Sequence, residues 1–489
     1  MIAWQIEGSA IDLSYDYGHL FRTFPNVMDE DKAYTLHQRV LEDRIIGVLS
    51  LKAEGTQWQH ETLFLTLNET FGVKRDLKVF LKLNVYDLLS QVTASANPYG
   101  TLVGIRPVKL VHEMLQNKRP DQLIQDYLKA IYRVADEKIE LMMNIAHLEQ
   151  PILEMDDHDK ISLYICIPFC RTRCSYCSFP ANSVTQKGHL MDRYLECLIQ
   201  EIKEMAFDLT LRALEVDCIY IGGGTPTALD EKQLETLLKA VSETFDLSKV
   251  TEFTVEAGRP DTLNTKKLEL LKTYNVDRIC INPQSMVDTT LVSIGRDHKA
   301  EDIRTLYEEA SKMGFNSINM DLIAGLSDEG TKEMRFTIEQ ILEMRPENVT
   351  LHTLSLKRAS KLNEQKDQVA LQEADTVSQM VALTTEQLTA AGYLPYYMYR
   401  QKQMIGNLEN IGFTLPEKVC VYNVRIMEEQ HSILALGAGA ISKLYFPEEN
   451  RLERFSNSKG LEDYIARIDE MIGRKKEWLT SRYDFSIME

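Results

Sequence analysis

No run of 18 apolar residues occurs in the 489-residue sequence, so no membrane-spanning helix is expected. The opening stretch, MIAWQIEGSAIDLSYDYG, has neither the basic nor the apolar segment of a secretory signal, and the expected location is the cytoplasm. Internal repeats and low-complexity tracts are lacking too, which sets aside solenoids and arrays. Positive charge is in short supply. Against 73 Asp and Glu stand 55 Lys and Arg, a net charge of −18, and the averaged field of such a chain repels nucleic acid. A reducing compartment disfavours disulfides, so clustered cysteines read as metal ligands. Of the eight cysteines, four fall between positions 166 and 177.

The rest of the composition is ordinary. Hydrophobic residues at 44% and charged residues at 26% describe a soluble globular protein, and 489 residues exceed one compact core. Three regions are expected: an N-terminal α/β domain of unknown role over 1–155, a barrel over 156–365, and a mixed C-terminal region over 366–489. The first has few Gly or Pro; its clearest punctuation is Asn97-Pro98-Tyr99-Gly100, with Pro107 suited to open a helix near Val108–Leu115. Asp156–Lys160 is short and polar, a link into the barrel.

Six short apolar runs follow: Ile161–Ile167, Asp217–Ile221, Glu252–Ala257, Arg278–Asn282, Ser317–Ile323 and Asn348–Leu354. Helix-period segments separate them. Glu231–Phe245 places Leu234, Leu237, Leu238, Val241 and Phe245 on one stripe, opened by Asp230 and Gln233 as a capping box. Ala300–Met313 and Ala374–Ala391 read the same way and end at Gly314 and Gly392. Strand–helix alternation repeated six times predicts parallel βαβ units in a partial (β/α)6 barrel, with a Rossmann-like open sheet as the alternative. Sites in either architecture sit at the carboxyl ends of the strands.

The loop leaving the first strand reads Cys170-Arg171-Thr172-Arg173-Cys174-Ser175-Tyr176-Cys177, a C-x3-C-x2-C pattern. Three close thiolates suit an iron–sulfur cluster and leave one iron without a protein ligand, an open position where chemistry can occur. Zinc would call for a second Cys or His pair at ligand spacing, and Cys197, Cys218, Cys280 and Cys420 stand alone. Cys166, four residues before Cys170 on the strand itself, has two readings: a fourth thiolate, or a small buried strand residue, with the second favoured.

Tyr164-Ile165-Cys166-Ile167-Pro168-Phe169-Cys170 and the cysteines after it resemble the radical S-adenosylmethionine (SAM) superfamily, and within it the oxygen-independent coproporphyrinogen III oxidase family. That family's signature, Y-x-H-I-P-F-C-x3-C-x-Y-C, is matched here except for its histidine, replaced by Cys166. The similarity covers roughly residues 160–360, and the C-terminal region resembles that of the same oxidases. The resemblance implies a radical SAM barrel, a [4Fe–4S] cluster on Cys170, Cys174 and Cys177, and SAM as cofactor. It assigns SAM contacts to Tyr164, Gly223, Gly224, Thr225, Glu256, Gln284, Arg296 and Asp321. It further implies an external electron donor and a tetrapyrrole substrate whose propionates lose CO2. No catalytic residue beyond cluster and SAM is assigned.

Separately from that resemblance, the glycines of Gly222-Gly223-Gly224-Thr225 would let backbone approach a ligand, and Arg296 would suit a carboxylate. A tetracarboxylate needs cations, and Arg259, Lys357, Arg358, Arg400, Lys402 and Arg425 are candidates. Tyr396-Tyr397-Met398-Tyr399 suits either a tetrapyrrole or a strand packed at the barrel mouth. Relatives that resemble haem chaperones keep an alternative open, with His298, His352 and His431 as axial-ligand candidates. A radical SAM enzyme acting on another tetrapyrrole is the third option.

Overall fold

The structure, a computed structural model, describes every residue except 1, 8, 10, 25–33, 42, 52–54, 64–72, 105, 156–158, 178–181, 356–371, 402–403 and 484–489. The expected link at Asp156–Lys160 and the candidate cations Lys357, Arg358 and Lys402 therefore fall wholly or partly outside the described residues. Among those described, no helix is long and apolar enough to cross a membrane.

The chain forms two compact units, Met1–Ala146 and His147–Glu489. The first holds a four-stranded sheet of β1 (Ile2–Glu7), β2 (Tyr34–Val40), β3 (Arg44–Leu51) and β4 (Gln57–Leu63), in that order. β1 and β2 are parallel and the other pairs antiparallel. The alternating burial along β3 gives the sheet one core face, which packs with Tyr17, Leu20, Phe80 and Leu88 of two helices.

In the second unit come β5 (Lys160–Ile167), the two-residue strands β6 (Phe169–Cys170) and β7 (Asn182–Ser183), β8 (Glu215–Gly223), β9 (Glu252–Val255), β10 (Arg278–Cys280), β11 (Ser317–Ala324), β12 (Asn348–Thr353), β13 (Leu394–Tyr399), β14 (Asn410–Thr414), β15 (Ile433–Leu436), β16 (Ile441–Phe446) and β17 (Arg451–Ser456). Eleven of them make one sheet, ordered β13-β14-β12-β11-β10-β9-β8-β5-β15-β16-β17. The stretch β5-β8-β9-β10-β11-β12 is parallel throughout, and chain order equals spatial order. Rossmann-like sheets reverse direction at a switch point, and this one does not, which leaves the open (β/α)6 barrel. The helix Glu231–Thr244 after β8 starts at the Asp230–Gln233 capping box, with both reciprocal hydrogen bonds formed.

The described strands after residue 371 join the barrel sheet. The antiparallel pair β13–β14 extends the barrel sheet beyond β12, and β15 joins β5 in parallel on the other side. The boundary near 155 likewise moves to 146/147, within the helix Asp136–Glu154.

One buried ion pair ties the C-terminal strands to the first barrel unit. Glu201, on the helix Met191–Leu211, accepts from Lys475 Nζ at 2.6 Å, Gly437 N at 2.8 Å, Tyr464 OH at 2.7 Å and Asn457 Nδ2 at 2.9 Å. Lys475 and Glu201 side chains are both fully buried. Burial works to raise the carboxyl, but the Lys475 charge and the hydrogen bonds outweigh it and hold Glu201 below the ordinary range. Replacing Lys475 by Met strands a buried charge and is expected to cost about 3–5 kcal/mol, read as a lower urea midpoint. The double substitution Lys475→Met/Glu201→Gln should recover more than half of that loss.

Candidate cofactor site

The carboxyl ends of the barrel strands surround one cavity of about 390 Å³. Cys170, Cys174 and Cys177 lie on its wall, as do Gly223, Gly224, Thr225, Glu256, Gln284, Arg296 and Asp321. Residues from Cys170 to Asp321 thus meet at one mouth because each βα unit returns to the same end of the barrel.

The cluster loop is held by its neighbours. Gly224 N donates to Ile167 O at 2.8 Å and Thr225 N to Phe169 O at 2.7 Å. A Cβ on Gly224 would lie 2.6 Å from Phe169 O, and Gly223 has φ +110°, so both positions demand glycine. Here the observed close approach of the glycine run is to the loop bearing Cys170. Thr225 Oγ1 and Cys170 Sγ share a hydrogen bond at 3.4 Å. From the other side Ser175 N donates to Ile294 O at 3.1 Å, and Arg296 Nη2 to Tyr176 OH at 3.0 Å.

All eight cysteines are free thiols, and burial pushes Cys170 up to about 11. A bound metal would have to displace that proton. Cys166 faces elsewhere: it packs with Tyr164, Ala435 and Ala440 and is absent from the cavity wall. Tyr164 also lies off that wall. Its ring stacks on Tyr220 and Tyr422 at centroid distances of 6.1 and 6.4 Å.

Arg296 is buried, with Nη1 donating to Asn282 O at 3.1 Å and Gly258 O at 3.3 Å. Its Nε has no partner, an unspent donor on the cavity wall that suits a carboxylate. Gln284 is held at φ +68°, a left-handed conformation costly outside glycine and fixed by Gln284 N to Asp321 O at 2.8 Å. Two acids differ in state. Burial raises Glu256 to about 7, against hydrogen bonds from Tyr220 OH at 2.7 Å and Gly223 N. Burial also works on Asp321, yet His352, Asn319 and Thr350 together hold it below the ordinary carboxylate range. Asn282 Nδ2 donates to Asp321 Oδ2 at 2.8 Å.

The tyrosine segment is the strand that one of the two readings expected. It is a strand, β13, and a β-bulge between Pro395 and Tyr397 turns consecutive residues inward, so Tyr396, Tyr397 and Tyr399 all line the cavity. The Tyr397 and Tyr399 rings are parallel within 6°. The candidate cations fare differently. Arg259 is paired with Asp261, Arg425 donates to Asp217 at 2.6 Å, and Arg400 donates to Asn407 O at 2.9 Å. Of the three histidines only His352 lines the cavity. His298 is buried off that wall, brought down to about 4 by burial and the Arg296 charge, and His431 sits 3.9 Å from Asp217 at the amino-end half of β8.

Known proteins share this arrangement. Residues 164–338 match the radical SAM superfamily. Over 442 residues, 89% of this chain and 87% of the relative, the sequence is 37% identical to the oxygen-independent coproporphyrinogen-III oxidase-like protein HemZ of Bacillus subtilis. The chain belongs to the radical SAM superfamily, among its oxygen-independent coproporphyrinogen III oxidase-like members. Within that family it is also similar to the heme chaperone HemW of Bacillus subtilis, 33% identical over 48% of this chain and 62% of that protein. In fold it resembles coproporphyrinogen III oxidase HemN of Escherichia coli, with a TM-score of 0.53, 23% identity, and coverage of 67% of this chain and 73% of that one.

The family implies a [4Fe–4S] cluster and SAM, and the donor set fits both: three thiols on one wall, and an unpartnered guanidinium nitrogen beside them. Serine at Cys170, Cys174 or Cys177 is expected to abolish stoichiometric iron and sulfide after anaerobic reconstitution. Cys166→Ser should retain both, as measured by metal analysis and visible absorption.

Proposed function

We propose that this chain is a SAM-dependent enzyme that oxidatively decarboxylates propionate side chains of a coproporphyrinogen-class tetrapyrrole, drawing single electrons from an external donor. The observation that carries the reading is the wall of Tyr396, Tyr397 and Tyr399 in the same cavity as the three cysteines. Flat rings give pyrrole rings a surface to pack on, and similarity to HemZ along 89% of the chain spans that wall as well as the cysteines. A [4Fe–4S] cluster with bound SAM would supply the reductive, radical chemistry that removes hydrogen from unactivated carbon.

The chain's own residues bind, orient and keep the site dry. Cys170, Cys174 and Cys177 hold the cluster. The unpartnered Nε of Arg296 would serve the methionyl carboxylate of SAM. Glu256 and Asp321 would serve the cationic and hydroxyl-bearing parts of the cofactor, one able to exchange a proton near neutrality and the other held below the ordinary carboxylate range. His352, 3.7 Å from Asp321 and 3.4 Å from the Tyr399 hydroxyl, links the cofactor side of the cavity to the tyrosine wall.

Haem delivery is the second reading, favoured by the HemW relatives and by His352 on the wall. Against decarboxylation stands the commitment of Arg259 and Arg278 to protein partners, which leaves propionates few described cations.

Two measurements test the proposal. If the ionised Glu256 favours SAM, raising the pH from 6 to 8 through its value of about 7 should tighten SAM binding to the oxidised, reconstituted protein about tenfold. Glu256→Gln should flatten that dependence. In the second, anaerobic protein receives reductant, SAM and coproporphyrinogen III, and formation of protoporphyrinogen, CO2 and 5′-deoxyadenosine is expected. SAM cleavage without CO2 would point to another substrate, and stoichiometric haem binding without turnover to the chaperone.

A further inference from the structure

We propose that Arg259 is a positioning residue for the cluster loop whose fixed positive charge at Cys174 makes the bound cluster easier to reduce. The inference rests on the reading of Cys170, Cys174 and Cys177 as cluster ligands and goes beyond it to a residue outside the motif.

Arg259 lies just after β9 and is 4% exposed. Its Nε and Nη2 donate to the two carboxylate oxygens of Asp261, each at 2.9 Å. Nη1 donates to Thr172 O at 2.9 Å, and Nη2 to Thr172 Oγ1 at 2.9 Å. Nη1 also points at Cys174 Sγ from 3.6 Å. The Asp261 fork fixes the guanidinium plane in a way no ammonium reproduces. With its donors occupied on both sides, Arg259 has nothing left for a substrate carboxylate, the role its sequence position suggested.

Two effects follow. Thr172 lies between Cys170 and Cys174, so clamping its carbonyl and hydroxyl fixes the backbone that spans two ligands before any metal arrives. The loop grips back: Arg171 Nη1 donates to Asp261 O at 2.8 Å. The second effect is electrostatic. Reduction transfers one electron from an external donor to the bound cluster, taking it from the 2+ to the 1+ state; no bond forms or breaks and no proton moves. A cation against a ligand sulfur lowers the energy of the more negative state further than that of the oxidised one. Asp261 tempers this charge without cancelling it, because the carboxylate sits on the Nε edge and the Nη1 corner is turned to Cys174.

The test uses the full chain, reconstituted anaerobically, with no SAM and no substrate, titrated with dithionite and read by the electron paramagnetic resonance of the reduced cluster. Arg259→Gln removes the charge and keeps a hydrogen-bond donor; Arg259→Lys keeps the charge and loses the fork. The Gln variant is expected to be at least about tenfold harder to reduce, about 59 mV lower for a one-electron couple, with the Lys variant between it and the wild type. Equal potentials for the wild type and a fully loaded Gln variant overturn the proposal. Should the Gln variant hold less than stoichiometric iron, the Lys variant decides. A loaded cluster near the wild-type potential supports the proposal, whereas a tenfold shift despite the retained charge, or loss of iron there too, overturns it. Wild-type protein without iron and sulfide would instead defeat the cluster reading itself, a distinct failure.

Discussion

A loop bearing three thiols can present them to one point only if something other than the metal holds its backbone, and here that work falls to the loops beside it. The cluster loop has almost no secondary structure of its own beyond the two-residue strand β6. Gly224 and Thr225 bind it from the end of β8, Arg259 from the end of β9, and Ile294 and Arg296 from beyond β10. Each anchor comes from a successive βα turn. The order of strands in the barrel is therefore also the order in which the loop is gripped, and an interruption of that order would release one side of the site.

The same dependence runs through the C-terminal strands. Tyr194 OH donates to Cys166 O at 2.6 Å and accepts from Ala438 N at 3.2 Å, so the turn after β15 is bonded to the strand that leads into the cluster loop. Gly437, at φ +98°, is where that turn passes: a Cβ there would lie 2.5 Å from the Tyr194 hydroxyl. The Glu201–Lys475 pair lies directly behind. A buried pair of this kind adds little stability by itself, since desolvation offsets most of the attraction. Its value is geometric, because five partners must agree on one arrangement before both charges are satisfied. The region after residue 366 is thus structural support for the cofactor end of the barrel, besides supplying the tyrosine wall.

Local signals carried the barrel. All six apolar runs became strands within a few residues of their expected ends, since parallel strands buried on both faces are written as continuous apolar stretches. The cysteine spacing and the places of Glu256 after the third strand, Gln284 after the fourth and Asp321 within the fifth were legible for the same reason: each belongs to one βα unit. What escaped was whatever depends on two turns at once. Nothing local says that Arg259 reaches Thr172, 87 residues away, or that Asn282 bonds Asp321. The inward turn of consecutive Tyr396 and Tyr397 depends on a bulge set by the partner strand, where a Cβ on Gly412 would lie 1.9 Å from the Tyr397 ring. That the mixed C-terminal region continues the barrel sheet was not legible, because β13–β14 and β15 read as an ordinary mixture of short strands and only their pairing shows the continuation.

Charge inside the cavity is ordered although the chain as a whole is acidic. Arg259 and Arg296 stand beside the cluster loop, whereas Glu256 follows the third barrel strand and Asp321 lies within the fifth. A ligand that carries a carboxylate at one end and a cation further along can satisfy both sets in one orientation, and the reverse orientation sets like against like. The near-neutral value of Glu256 refines this. With Asp321 ionised nearby and burial acting on both, the empty cavity does not easily hold two negative charges. A cationic ligand would restore the second charge as it enters, so the pair of acids favours positive charge by relieving its own repulsion. The preference is then a property of the pair of acids, and neither one alone would produce it.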